Sequence, residues 1–552
     1  MKHALSTTAR MVLATSIWVF TLAGCTTQRR MQRMERRVRS YLDGVQRGVL
    51  AGAPPEVIDV DHYTPARPGA APVVLDLRRA LQTAARHSRE YQTARETLYE
   101  SAISLYVAAH QYAWNTGNSV EADLARDLAG PATTAEGKGS LSFTRRLETG
   151  GRLSLNLAVN TLRYLTGDER VNITSLVSAT FRQPLLAGRG RLVAREPLTQ
   201  AERNLVYALR SYIRTRKDLT FRVAEAYYTV LSSQDSVDIA QRNYENLKAE
   251  RVRSEMMAQA GRLPEFQVDQ ARQNELSAEA TLLSRKQNFQ SRCDALKRIL
   301  GLPLTTAIVV DRRDLAALAA AQLPPPPGTL DQAVAEALAK RLDLATARDR
   351  LADARRAVKI ARDALQMKLD LLAGASASSA TRSTLTAVNW DKGRYHIGLD
   401  GELPLDKTAE IAAYKRALIT RNQRDRAVAD LEDRITSQIR SDWRNLGTGA
   451  ETYRIQKLSV TLARRRVEST QLLFQAGRVN MRDVLEARDA LTRAENQRTQ
   501  VLVNYRLDWL RLLIDLERFP VRPADLWSPL LAVSPGPAAA AKTPRPKPGA
   551  AP

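Results

Sequence analysis

The sequence predicts a mainly α-helical protein with a small β part. Three observations lead there. Long windows almost free of Gly and Pro (73–116, 198–260, 265–300, 329–373, 408–446, 450–476 and 478–519) are rich in Ala, Leu, Arg, Glu and Gln, the strong helix formers. Two short windows switch to a period of two. Beyond residues 11–22, no apolar run approaches the roughly 20 residues that a membrane helix needs. With 44% hydrophobic and 26% charged residues among 552, the chain can bury a large core and is not broadly disordered. Lys and Arg outnumber Asp and Glu by 83 to 59, for a formal charge of +24, which points first to nucleic acid unless the protein is exported.

The N-terminus argues for export and so against a nucleic-acid partner. Lys2, His3 and Arg10 precede the apolar run MVLATSIWVFTL at 11–22, which is too short to span a bilayer and reads as the core of a signal peptide, 1–24. It ends in Leu22-Ala23-Gly24-Cys25, similar to a bacterial lipobox, in which cleavage falls before Cys25 and its thiol is acylated, for example by palmitate. Several acyl chains make a firm anchor. Thr26, rather than an Asp, favours sorting to the outer membrane. The segment 25–72 is then a lipid-anchored basic stretch. Within it Met31, Met34, Val38, Tyr41 and Val45 recur at helical intervals among arginines, a pattern open to membrane-surface, solvated and protein-packed readings. Cys293, the other cysteine, falls in a strongly helical window and is expected to be buried and inert.

From residue 73 the helical windows carry apolar residues at helical spacing, as in Leu219, Val223, Ala226, Tyr227 and Val230. A window such as 198–260 would be about 95 Å long as one helix, more than a compact domain uses. Strand-like alternation appears in Leu153, Leu155, Leu157 and Val159, and in Tyr395, Ile397 and Leu399. Companion strands are expected at 141–147, 171–182 and 367–378, with Gly150-Gly151 as a turn or kink.

The chain is an internal duplication. Gln259-Ala260-Gly261-Arg262 returns as Gln475-Ala476-Gly477-Arg478 at an offset of 216, and Val268, Ala271, Arg272, Leu296 and Leu300 align without a gap on Val484, Ala487, Arg488, Leu512 and Leu516. The repeats are expected at 73–322 and 329–520, each reading helix, two strands, helix, helix, joined by a Pro-rich linker at 323–328 and followed by a Pro- and Ala-rich disordered tail, 521–552. Two strands per repeat give four per chain. A membrane sheet with open edges is forbidden, and four strands close no useful barrel. Three chains would close a barrel of twelve and gather their helices into a tube.

The segment Phe181-Arg182-Gln183-Pro184-Leu185-Leu186 with Gly188 and Gly190, its weaker counterpart Leu403-Pro404-Leu405, and Gly477 followed by Asp483-Val484-Leu485-Glu486-Ala487 carry a resemblance. Over about 73–520 the chain resembles the TolC-type outer-membrane efflux family, as a lipoprotein member. The resemblance implies a homotrimer with a shared 12-stranded transmembrane β-barrel and a trimeric α-barrel of long antiparallel helices. It implies an exit duct of a tripartite efflux or type I secretion system, fed by an inner-membrane transporter through a periplasmic adaptor. Gly261, Arg262, Gly477 and Arg478 then become candidate adaptor contacts at the periplasmic tips. Asp483 and Glu486 match the family's acidic pore constriction, although the family often has Asp where Glu486 stands, and Gln267 takes the equivalent place in the first repeat.

No catalytic reading emerges. The five histidines are scattered without metal spacing, and Gly188-Arg189-Gly190 lacks the rest of a phosphate loop, so no enzyme, cofactor or metal is expected. The rival reading is a lipid-anchored periplasmic helical scaffold without a pore, which leaves the alternating strands unused.

Overall fold

The structure is a computed structural model and describes residues 27–49, 58, 65–66, 73–126, 133–164, 171–379 and 390–532. The signal peptide, Cys25 and residues 533–552 lie outside them. In chain order the elements are α1 (27–49), β1 (Val73–Leu75), α2 (Leu77–His87), α3 (Arg89–His110), β2 (Asn115–Arg126), β3 (Thr133–Arg146), β4 (Arg152–Tyr164), β5 (Val171–Pro184), α4 (Arg191–Ala194), α5 (Glu196–Gln259), α6 (Glu265–Leu300), β6 (Ile308–Val310), α7 (Arg313–Ala320), α8 (Leu330–Lys340), α9 (Leu342–Asp363), β7 (Lys368–Ser378), β8 (Arg394–Glu402), α10 (Thr408–Gln475) and α11 (Met481–Asp515).

The helices of the two expected repeats are alike in length. The repeats match as 11 residues against 11, 22 against 22, 64 against 68, and 36 against 35. Two expectations about helices change. The windows 73–116 and 329–373 are each broken in two, at Ser88 and at Arg341, where the backbone turns extended without help from Gly or Pro. Conversely, α10 runs unbroken through Gly447 and Gly449, because an isolated Gly costs only about 1 kcal/mol in a long helix.

The chain divides into two compact units. The first draws on described residues within 1–58, 96–210 and 346–429 and holds a six-stranded antiparallel sheet in the order β2-β3-β4-β5-β7-β8. Four strands per chain were expected; the first repeat supplies four and the second two. The additional hairpin escapes a sequence reading because β2 (NTGNSVEADLAR) has little apolar contrast and the first half of β3 (TTAEGKG) almost none.

Register sorts the sheet into two faces. One carries the rows Leu141, Leu157, Val177, Ala377 and Phe143, Leu155, Ala179, Ala375, Tyr395. The other carries Gly117, Ser142, Asn156, Ser178, Ser376 and Asn115, Thr144, Ser154, Thr180, Gly374, His396. The β3–β4 turn at Thr149-Gly150-Gly151 is clipped to the strand-to-helix corner. Thr149 O accepts from Gly190 N at 3.1 Å and from Gln183 Nε2 at 3.2 Å. A Cβ on Gly150 would stand 2.7 Å from the Gly188 carbonyl, and both glycines have φ near +90°. The Gln183-Pro184 corner is thus a built joint. Also in this unit, α1 buries Val38, Leu42 and Gln46, four residues apart, against protein while Arg33, Arg36, Arg37 and Arg39 stay exposed. Of the stripe expected there only Val38 is buried; Met34, Tyr41 and Val45 are half-buried and Met31 is exposed.

The second unit, from described residues within 59–95, 211–345 and 430–552, is helical apart from the parallel pair β1–β6, joined from Val73↔Ile308 to Leu75↔Val310. Its core includes Leu75, Leu81, Tyr91, Tyr227, Tyr228, Leu296, Leu300, Leu512 and Phe519, each at most 1% exposed. Tyr227 donates to Asp314 Oδ2 at 2.6 Å, and burial together with this carboxylate pushes its phenol well above the ordinary value. Residues 521–532, expected within a disordered tail, are ordered instead. Val521, Leu526 and Leu531 are buried, and Ser528 caps a short 3₁₀ turn.

Candidate functional site: the paired helical tips

The two Gln-Ala-Gly-Arg segments turn α5 into α6 and α10 into α11. At each, the Gly takes φ +71° and the following Arg N–H reaches back to the carbonyl five residues earlier, Arg262 to Met257 at 2.8 Å and Arg478 to Leu473 at 2.9 Å. This is the left-handed helix stop that Gly alone adopts at little cost. A Cβ on either glycine would meet nothing within 4 Å, so only the backbone angle demands Gly here. Gly261, Arg262, Gly477 and Arg478 are the residues expected at the tips, and Gly261 and Gly477 are exposed.

One cluster ties the two tips together. Leu247, Ala278, Phe474, Met481, Val484 and Leu485 are buried, flanked by Tyr244, Met257, Leu263 and Val479. The apolar positions of the duplicated motif therefore build the mount, while Met256, Phe266 and Leu472, from 58% to 67% exposed, remain open to solvent beside the glycines.

The two candidate constriction residues have local partners. Asp483 closes a capping box at the start of α11, its carboxylate accepting from Asn480 N at 3.1 Å. Its negative charge also suits the helix N-terminus. Glu486 is exposed and pairs with Arg466 at 2.9 Å. In the first repeat Pro264 is the N-cap of α6 and makes no side-chain cap bond, so the charged cap belongs to one repeat only.

A second polar group went unread in the sequence. Glu250, 2% exposed, has Arg253 within 3.8 Å, and Glu250 also bears electrostatically on Arg488 of α11. Burial pushes the Arg488 guanidinium below its ordinary value, Glu250 opposing and Arg253 adding to the shift. Glu250 Oε1 and Arg488 Nε have no hydrogen-bond partner among the described residues. Its signal was available: Leu247, Glu250 and Ser254 share one buried stripe at helical spacing, interrupted by a carboxylate. Cys293 is buried as expected, and burial raises its thiol. Among the described residues no group of three or more His, Cys, Asp or Glu side chains is placed to hold a metal, and no helix is long and apolar enough to cross a membrane.

A family model described as outer membrane efflux protein matches residues 333–518, almost the whole second repeat including this tip. Over those residues the chain is similar to the outer membrane efflux protein family. It is 27% identical over 331 residues to the alkaline protease secretion protein AprF of Pseudomonas aeruginosa, an alignment covering 57% of this chain and 66%, just under two thirds, of that protein. The fold is that of solved channels. The CusC structure superposes with a TM-score of 0.59 at 15% identity, covering 83% of this chain and 95% of that one. The CmeC outer membrane channel of Campylobacter jejuni gives 0.59 at 14% identity, covering 80% and 85%.

Proposed function

We propose that the protein is, as a homotrimer, the exit duct of a tripartite efflux or type I secretion system. It passes cargo from an inner-membrane transporter and its periplasmic adaptor to the exterior. The observation that carries this reading is a sheet with one apolar and one hydroxyl- and amide-rich face and both edges open, the form of a membrane wall awaiting more strands. The long helices make the periplasmic conduit. Gly261-Arg262 and Gly477-Arg478 are the adaptor contacts, supported by their matching left-handed turns. Asp483 and Glu486 narrow the entrance electrostatically, with three copies giving a ring of carboxylates that attracts cations. Cys25 carries the lipid anchor. The family is one of channels, and no catalytic role is assigned.

Single-particle imaging of the protein extracted from outer membranes, averaged without imposed symmetry, tests the reading. A hollow three-fold particle supports the duct. A monomer without a lumen removes it in favour of the anchored scaffold. With the trimer intact, Arg262→Glu with Arg478→Glu should abolish export while leaving the particle unchanged. Incorporation of an alkyne-bearing palmitate should vanish in Cys25→Ser.

A further inference from the structure

The hairpin β2–β3 lies in the sheet but was not needed for a wall of four strands per chain. If it hung outside the membrane, nothing would require it to keep the two-faced pattern of its neighbours. Its faces continue those of its neighbours in register, with Val120, Leu141 and Phe143 as the large apolar residues of one face. Thr116, Asn118, Val120 and Ala122 of β2 stand on the face of Leu141 and Phe143, whereas Gly117, Ser119 and Glu121 stand on the face of Ser142, Ser140 and Lys138. Ser119 and Ser140 join their hydroxyls at 2.7 Å across the polar face. Val120 is 85% exposed, beside Leu141 at 38% and Phe143 at 36%, a line of bare apolar side chains that solvent would disfavour and lipid would not. At 12 and 14 residues both strands exceed the 9–11 that a tilted membrane strand needs.

The edges agree. β2 leaves the helical end of the sheet and β8 returns to it, so β2 of one copy is antiparallel to β8 of the next. An exposed edge is a template for another strand, and in lipid it has to be paired.

Resting on the trimeric reading above, we infer that the hairpin is part of the membrane wall, that the β2 edge of each copy pairs with the β8 edge of its neighbour, and that the barrel therefore has eighteen strands rather than twelve. With strands about 4.8 Å apart and tilted about 40°, twelve give a backbone diameter of about 24 Å and eighteen about 36 Å, roughly doubling the cross-section. That places the outer-membrane mouth among barrels that hold a wide aqueous lumen, suited to bulky cargo.

The test uses the full-length protein in proteoliposomes with a Cys293→Ala background. Single cysteines carry a fluorophore, and the lipid carries a nitroxide quencher. Val120→Cys, Leu141→Cys and Phe143→Cys should be quenched at least twofold more than Ser119→Cys, Ser140→Cys and Ser142→Cys. Leu155→Cys against Asn156→Cys on β4 is the reference pair. If β4 alternates and the hairpin does not, the eighteen-strand wall is overturned and the duct survives. If neither alternates, the membrane-duct reading itself fails. For the seam, Ser119→Cys is paired in turn with Arg394→Cys, His396→Cys and Gly398→Cys and oxidised. Disulfide-linked dimers and trimers in one pairing support the β2–β8 seam, whereas no linkage in all three, with Asn156→Cys on β4 linking to a β8 cysteine in the same assay, overturns it.

Discussion

The two repeats end their last long helix at the same corner with opposite chemistry. In the first, α6 stops at Gly301 with φ +74°, and Leu302 N donates to Lys297 O at 2.9 Å. In the second, α11 stops with the same left-handed turn 216 positions later, but the residue is Glu517, φ +58°, and Arg518 N donates to Leu513 O at 2.9 Å. The neighbours explain the choice. A Cβ at Gly301 would lie 1.9 Å from the His87 carbonyl oxygen, so the end of α2 leaves no room for a side chain. At Glu517 the chain has room and donors. Its carboxylate accepts from Leu342 N at 3.4 Å, at the start of α9, and binds the amine of buried Lys217. A fold can hold one backbone geometry by exclusion in one copy and by charge in the other.

The largest effect expected from breaking this comparison is at its two centres. Gly301→Ala should cost on the order of 3 kcal/mol or more, since the left-handed angle and a backbone clash add. Glu517→Ala should cost about 3 kcal/mol by stranding buried Lys217. Chemical denaturation of the detergent-solubilised protein measures both, and a neutral Glu517→Ala would show that the ion pair does not hold the second corner. Next is Arg341, 7% exposed, which grips Asp343 through Nε and Nη2 at 3.1 and 2.8 Å and Asp515 through Nη1 at 3.1 Å. Arg341→Leu should lose about 3 kcal/mol, and adding Asp515→Leu should recover much of it, because the penalty is an uncompensated buried charge.

The tips sharpen the contrast. Gly261 and Gly477 have equal φ and open space around the missing Cβ, so each Ala substitution should cost only about 1–2 kcal/mol, and the two costs should agree. Unequal values would mean that the paired turns are not equivalent. The smallest effect is at Asp442, whose carboxyl burial holds above its ordinary value despite a 2.8 Å hydrogen bond from Gln438. A carboxyl raised on folding contributes stability below its unfolded value, about 4, and loses it as pH rises through the folded one. Asp442→Asn should therefore raise the melting point modestly at neutral pH, with the gain disappearing below about pH 4.

Much of this architecture is legible in the order of the amino acids. The helical windows stand out because helix formers dominate them, and the tips because Gly recurs in the same four-residue frame with the same apolar partners. The Gln183-Pro184 corner is legible as a motif. Its clasp with Thr149 is not, since it joins segments 34 residues apart. The breaks at Ser88 and Arg341 carry no helix breaker; each is imposed by packing at the corners just compared. The β2–β3 hairpin is half hidden because Ser, Gly and Glu on one face alternate with Asn118 and Thr116 on the other, which are polar too and leave little contrast to mark a strand. The partners of Asp483 and Glu486, the Asn480 N–H and the Arg466 guanidinium, likewise come from a cap and from another helix, which spacing along α11 does not reveal.

Helix lengths agree between the repeats almost residue for residue, while among the described residues the repeats give four strands and two to the six-stranded sheet. Helices lying side by side are held to a common length by every turn they share. A sheet fed from one end obeys a weaker rule: whatever is inserted has to come back. Strands enter and leave a repeat only in pairs, and in the trimer proposed above three copies would triple each change. The circumference of such a wall would then step by six strands at a time.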